Sequence, residues 1–266
     1  MKKTKELMTL FLTGIIVTVA GCGNVATKNP EVKEEQTDIV ENKDENRAES
    51  DTVLWMNATY AVLTELNSCD YTVFGGMTAN EWNKEMMQES LNEWWEITDR
   101  ESADEMITWL LAEGGHRVQF GEEMRYLEET GIQDVPEEDR KQFMYDNFEM
   151  SEEEAEIYAK LYSLYTQKGE DAILGWDYCR AMNLLGDYYI AGYYSKEEAL
   201  DKSLEIGKEL QTKFDSWDSM ADSYLAGYEY WSEESSDERR AVYEKIKAAE
   251  DSPYYLDWNL NLEKTW

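Results

Sequence analysis

The stretch DAILGWDYCRAMNLLGDYYI, residues 171–190, decides the fold class. Wound as a helix, it places Ile173, Trp176, Tyr178, Met182, Leu184, Leu185 and Tyr189 around most of its circumference. A helix apolar on most sides is a central one. Asp177, Arg180, Asn183 and Asp187 are the exceptions, and they fall within about a third of a turn of one another. Two readings follow. The four form a narrow stripe facing water, or a polar cluster in a mostly apolar wall, turned toward a cleft or another helix. Asp177 and Arg180 are three apart, close enough to interact, and the planar guanidinium makes paired bonds to carboxylates.

Flanking windows repeat the helical period of i, i+3, i+4, i+7. Ala103, Met106, Ile107, Leu110 and Leu111 make one face, closed by Gly114-Gly115. Tyr158, Leu161, Tyr162 and Tyr165 make a second. Leu200, Ser203, Leu204, Gly207, Leu210 and Phe214 make a third, and Trp217, Met220, Ala221, Tyr224, Tyr228 and Trp231 a fourth. Ser151 with Glu154, and Ser195 with Glu198, have capping-box spacing. Ser216 is placed to cap a helix starting near Trp217. Only Tyr71–Phe74 and Val118–Phe120 alternate like strands, and briefly. The expectation is one all-α, multi-helix domain over residues 52–266, with eight or nine helices.

Composition qualifies this. There are 58 acidic against 25 basic residues, for a net charge of −33. Leu, Ile, Val and Phe supply only 50 residues, a level typical of disordered chains at such charge. Tyr, Trp and Met add 18, 10 and 12, enough large apolar side chains to close a core by aromatic and thioether packing. An acidic chain lacks the basic surface that phosphate backbones require, so nucleic acid is excluded as a partner.

The N-terminus reads as an address. Lys2, Lys3 and Lys5 precede an apolar run from Leu7 to Ala20. The run is shorter than the roughly 20 residues a membrane-crossing helix needs. It ends in Val19-Ala20-Gly21-Cys22, which resembles a bacterial lipobox. That resemblance implies cleavage after residue 21 and acylation of Cys22, with palmitate-type chains anchoring the protein on the outer face of the cell membrane. Two acyl chains anchor stably where one does not. Cleavage removes three lysines and one glutamate and moves the charge from −33 to −35. Residues 22–50 then form the lipidated Cys and a charged tether without aromatics, whose reach is roughly 30 Å.

Motifs for known chemistry are absent. There is no HExxH, P-loop, GxSxG, EF-hand loop or GxGxxG. Neither CxxC nor a Cys/His cluster occurs, so no zinc site and no cofactor are expected. Cys69 and Cys179 read as separate buried thiols, with a disulfide as the alternative. His116, the one histidine, follows Glu113-Gly114-Gly115. It reads as a helix C-terminal residue favoured by the dipole; a catalytic role with nearby carboxylates is the alternative. Among Trp94, Trp95, Trp109, Trp176, Trp217 and Trp231 most fall on or near helical apolar faces and read as core residues, while the pattern does not place Trp95 and Trp109; a ligand groove is the alternative.

Several motifs occur in order. Trp94-Trp95-Glu96-Ile97, Asp99-Arg100 and Trp109-Leu110-Leu111-Ala112-Glu113-Gly114-Gly115-His116-Arg117 come first. Gly175-Trp176-Asp177-Tyr178-Cys179-Arg180-Ala181-Met182-Asn183-Leu184 follows, then Ala191-Gly192-Tyr193, Ser216-Trp217, Ser223-Tyr224-Leu225-Ala226-Gly227 and Trp231. The pattern resembles the bacterial family called domain of unknown function 1266, over about residues 90–232. The resemblance implies an all-helical domain and no activity. It draws attention to Glu113, His116, Arg117, Asp177 and Arg180 as a polar site. The doubled glycine before His116 departs from the single one usual in the family.

The functional expectation is a membrane-anchored envelope lipoprotein, acting as a non-catalytic binding module for a basic protein partner. An enzyme using His116 with carboxylates is one alternative. An immunity-like protein covering a basic toxin is another.

Overall fold

A computed structural model describes residues 49–266. The signal, Cys22 and nearly all of the tether lie outside the described residues. Glu49 and Ser50, assigned above to the tether, belong to the folded body: Glu49 pairs with Lys196 at 2.8 Å, and Ser50 caps the first helix.

The chain is all-α, with no strand among the described residues. The helices are α1 (Asp51–Ala58), α2 (Ala61–Leu66), α3 (Glu81–Trp95), α4 (Arg100–Leu111), α5 (Gly115–Glu129), α6 (Arg140–Asn147), α7 (Glu152–Lys168), α8 (Leu174–Ile190), α9 (Lys196–Lys213), α10 (Trp217–Ser232) and α11 (Asp237–Lys247). Eight of these run eleven residues or more. Val118–Phe120, one of the two brief strand-like alternations, lies within α5.

The described residues group into two compact units. The first takes Asp104–Ala181 and Phe214–Lys245. Its core is built from α5, α6, α7, a 3-10 turn at Gly169–Ile173, and α10. Phe120 is its centre, with Tyr230 at 5.2 Å and Tyr165 at 5.9 Å, both edge-to-face. That geometry suits the aromatic quadrupole. The expected capping box of Ser151 and Glu154 starts α7, and Ser216 caps α10 with Ser219 in the Glu position. Two glycines let α8 and α10 touch at backbone distance. A Cβ on Gly175 would lie 2.7 Å from the Met220 carbonyl, and one on Gly227 would overlap the Trp176 Cβ. The Ser223 hydroxyl clips the same contact, accepting from Gly175 N at 2.9 Å and donating to Ala172 O at 2.9 Å.

The second unit takes the described residues up to Ala103, then Met182–Lys213 and Ile246–Trp266. Trp55, fully buried, packs against Trp258 with ring centroids 5.1 Å apart and planes tilted by 48°, and donates Nε1–H to the Trp258 carbonyl at 3.1 Å. Gln211 holds the same C-terminal segment through Trp258 O at 2.6 Å and Leu260 O at 2.9 Å. Ser195 caps α9 by accepting from Glu198 N, and the Glu198 carboxylate pairs with Arg100. In both units tryptophan and tyrosine are among the largest fully buried side chains, as the low aliphatic content requires.

Candidate functional site

The site lies in the first unit and begins with the two glycines. Gly114 has φ +89° and Gly115 φ +52°, both in the left-handed region that glycine adopts without penalty. They end the turn after α4 and open α5, so His116 stands in the first turn of a helix. This corrects the helix C-terminal placement read from the sequence. The glycine pair that looked like a stop signal for α4 is the entry to α5.

An N-terminus offers unpaired backbone N–H groups and the positive end of the helix dipole. Gly114, at the cap position, has no side chain to accept from them. Asp177 of α8 does so instead. Its carboxylate is fully buried and accepts from His116 N at 3.2 Å, Arg117 N at 3.3 Å and His116 Nδ1 at 2.5 Å. It packs flat on Gly115, where a Cβ would sit 2.8 Å from the carboxyl carbon. The doubled glycine therefore makes room for the carboxylate.

Asp177 spends its hydrogen bonds on α5, and its charge also acts on Arg180, the interaction that their spacing suggested. The water-facing stripe is also excluded at this position. Further along α8, in the second unit, Asn183 Nδ2 donates to Asp187 Oδ2 at 2.6 Å, and burial pushes the Asp187 carboxyl up to about 7.

A carboxylate only accepts, so the bond to His116 Nδ1 places a proton there and leaves Nε2 on the far side of the ring. The His116 side chain is 17% exposed. Trp109 meets the imidazole edge-on at 5.0 Å, and Trp176 does so at 6.2 Å. Trp176 then stacks on Tyr224 at 5.5 Å and lies 5.6 Å from Trp231. The Arg180 guanidinium sits over Trp176 at 4.1 Å and over Trp231 at 5.1 Å. His116 and Arg180 therefore share one indole. Arg117 is held beside them by Asp171, with Nη1 2.7 Å from Oδ1.

Four of the five residues expected to form a polar site are thus gathered: His116, Arg117, Asp177 and Arg180. Glu113 is not. Its side chain is exposed in the turn before α5 and bonds to none of the four. Trp176 and Trp217 are buried, as core residues should be, but Trp109 and Trp231 are 36% and 39% exposed, and Trp94 is exposed too. Arg239 was missed. It donates to the Tyr224 hydroxyl at 2.7 Å and covers the Tyr228 ring at 4.0 Å. It stands next to Arg240 in the mixed-charge first turn of α11, and no spacing ties it to Arg180.

The sequence model of a family described as "Protein of unknown function (DUF1266)" matches residues 90–258. The chain belongs to the DUF1266 family. The match takes in every residue of the site and extends the resemblance read from the motifs from residue 232 to 258. No curated protein and no solved structure matches the chain. Among the described residues of this DUF1266 protein, no group of three or more His, Cys, Asp or Glu is placed to hold a metal ion. Cys69 and Cys179 are not joined by a disulfide; Cys179 is buried as expected, which pushes its thiol up to about 12, whereas Cys69 is only half-buried. No described helix is long and apolar enough to cross a membrane.

Proposed function

We propose that this DUF1266 protein is a lipid-anchored binding module of the cell envelope, tethered through Cys22 and engaging a partner at the Trp109–His116–Trp231 face. One observation carries the reading. Half-exposed Trp109 and Trp231 flank a cluster in which arginines are stacked on indole and phenol rings. Trp, Tyr and Arg are the residues that dominate binding energies at protein interfaces, because they bury much area at little entropic cost. The acidic body would steer a basic partner by long-range attraction. The immobilised mature chain should retain envelope proteins, and replacing both Trp109 and Trp231 by alanine should abolish that retention. Undiminished retention by the double variant would refute this face. Absence of acyl label on the cellular protein, with residues 1–21 still attached, would refute the anchor.

The His116–Asp177 pair supports a second reading. A carboxylate that fixes the imidazole tautomer leaves the other nitrogen able to take a proton from a substrate, as in general-base catalysis. On this reading His116→Gln would abolish a hydrolytic or transfer activity while leaving the unfolding midpoint nearly unchanged.

A further inference from the structure

Within the second unit, two segments far apart in sequence meet on α9. One is α1, eight residues long, six of them buried. The other is residues 260–266, which have no regular secondary structure. α9 lies within the stretch that the family model matches, whereas α1 and residues 259–266 lie outside it. A helix of eight residues is too short to hold itself in water, so its order comes from packing. The turn Pro253–Tyr255 packs on α1, and the segment after it supplies contacts of two kinds.

The inner contacts are apolar and buried. Trp258 and Leu262 are 4% and 2% exposed. The Trp55 indole of α1 packs on the Trp258 ring and donates to its carbonyl. A Cβ on Gly207 of α9 would lie 3.2 Å from both Leu262 Cδ1 and Trp55 Cζ3, so the two side chains close on one bare spot of the helix. Gln211, one turn further along α9, holds the Trp258 and Leu260 carbonyls.

The outer contacts are polar and open to water. Glu263 N donates to Thr52 Oγ1 at 3.4 Å, and the Thr265 and Ser50 hydroxyls lie 2.6 Å apart. Lys264 Nζ pairs with Glu197 at 2.9 Å and with Asp201 at 2.8 Å, two carboxylates one turn apart on α9. Trp266 Nε1 donates to Asp201 at 2.9 Å. The bond from Lys264 holds the Asp201 carboxyl below its usual range. Glu49 completes the ring through Lys196, the first residue of α9, at 2.8 Å. Exposed ion pairs are individually weak and are screened by salt, while buried apolar contacts are not.

We propose that residues 257–266 are a two-stage clasp on α1: an apolar inner lock at Trp258 and Leu262, and an ionic outer latch at Lys264 that opens and closes where the chain enters the folded body. The clasp does not depend on the anchor reading. With a lipid on Cys22 it gains a use, since a pull along the tether arrives at Glu49 and Ser50, and the latch shares that load among α1, α9 and the segment.

Hydrogen exchange of the full chain, read peptide by peptide in the mass spectrometer, tests the clasp. Lys264→Gln should speed exchange at the α1 amides about two- to fivefold. Salt at about 0.5 M should do the same to the parent and less to the variant. Leu262→Ala should speed it about thirtyfold or more. Coupling is reciprocal, so Trp55→Ala should speed exchange at the Glu263 amide. Exchange in α7, in the other unit, should keep its parental rate, which separates local release from failure to fold. Unchanged α1 exchange both in Lys264→Gln and in salt would overturn the latch, as would equal acceleration in α7. Unchanged α1 exchange in Leu262→Ala would overturn the lock. A chain without acyl label whose α1 still responds to Lys264→Gln and Leu262→Ala would refute the anchor and leave the clasp standing.

Discussion

Replacing Asp177 by asparagine changes one atom and the charge, in a group that accepts three hydrogen bonds with no exposure to water. The amide oxygen can still accept from His116 N and Nδ1. The new Nδ2, in the place of Oδ2, then faces the Arg117 N–H, donor against donor. Losing a charge-assisted bond and leaving a buried N–H unpaired costs about 1–3 kcal/mol. Losing a negative charge at a helix N-terminus adds about 0.3–2 kcal/mol. The expected destabilisation is about 3 kcal/mol, and Asp177→Ala should cost more. Urea unfolding measures the loss, and hydrogen exchange at the His116 and Arg117 amides locates it. His116→Ala should cost less in the Asp177→Asn background than in the parent, because their shared bond is already weakened. The burial of the carboxylate makes the loss nearly independent of salt. An Asp177→Asn variant within about 0.5 kcal/mol of the parent, with unchanged exchange at those two amides, would refute the capping argument.

Other consequences are equally direct. Gly227→Ala would force a methyl into the Trp176 Cβ, and overpacking of this kind should cost about 3 kcal/mol by urea unfolding. Asp187 has its carboxyl raised to about 7 by burial, so the folded chain keeps a proton that the unfolded chain has released. Stability should therefore fall as pH rises from about 4 through 7, and Asp187→Asn should flatten that slope. Cys179, buried with its thiol raised to about 12, should resist alkylation in the native chain while Cys69 reacts first, as peptide mapping would show. Ser151→Ala removes the cap of α7 and should cost about 1 kcal/mol by thermal unfolding.

The helical class was legible because residues 171–190 carry apolar side chains on most faces and the flanking windows keep a 3.6-residue period. Caps at Ser151 and Ser216 were legible because capping is local chemistry. The site was legible only in part. His116, Arg117, Asp177 and Arg180 were flagged by motif, but their partners were not. Helical spacing tied Asp177 to Arg180, on which its charge does act, but it could not show the three donors that His116 and Arg117 offer some 60 residues away in sequence. Glycine pairs look alike at either end of a helix, so the direction of the Gly114-Gly115 signal was ambiguous until the backbone was known. Arg239 gave no signal, since a stacked arginine and a solvated one have the same one-dimensional context.

The central claim is that Asp177 fixes the His116 imidazole by accepting from Nδ1. The chain has a single histidine, so one pair of ring nitrogen resonances reports it without ambiguity. Nitrogen-15 spectra of the folded, full-length protein should show the shift of a protonated nitrogen at Nδ1. A spectrum with the lone pair on Nδ1 and the proton on Nε2 would contradict the account.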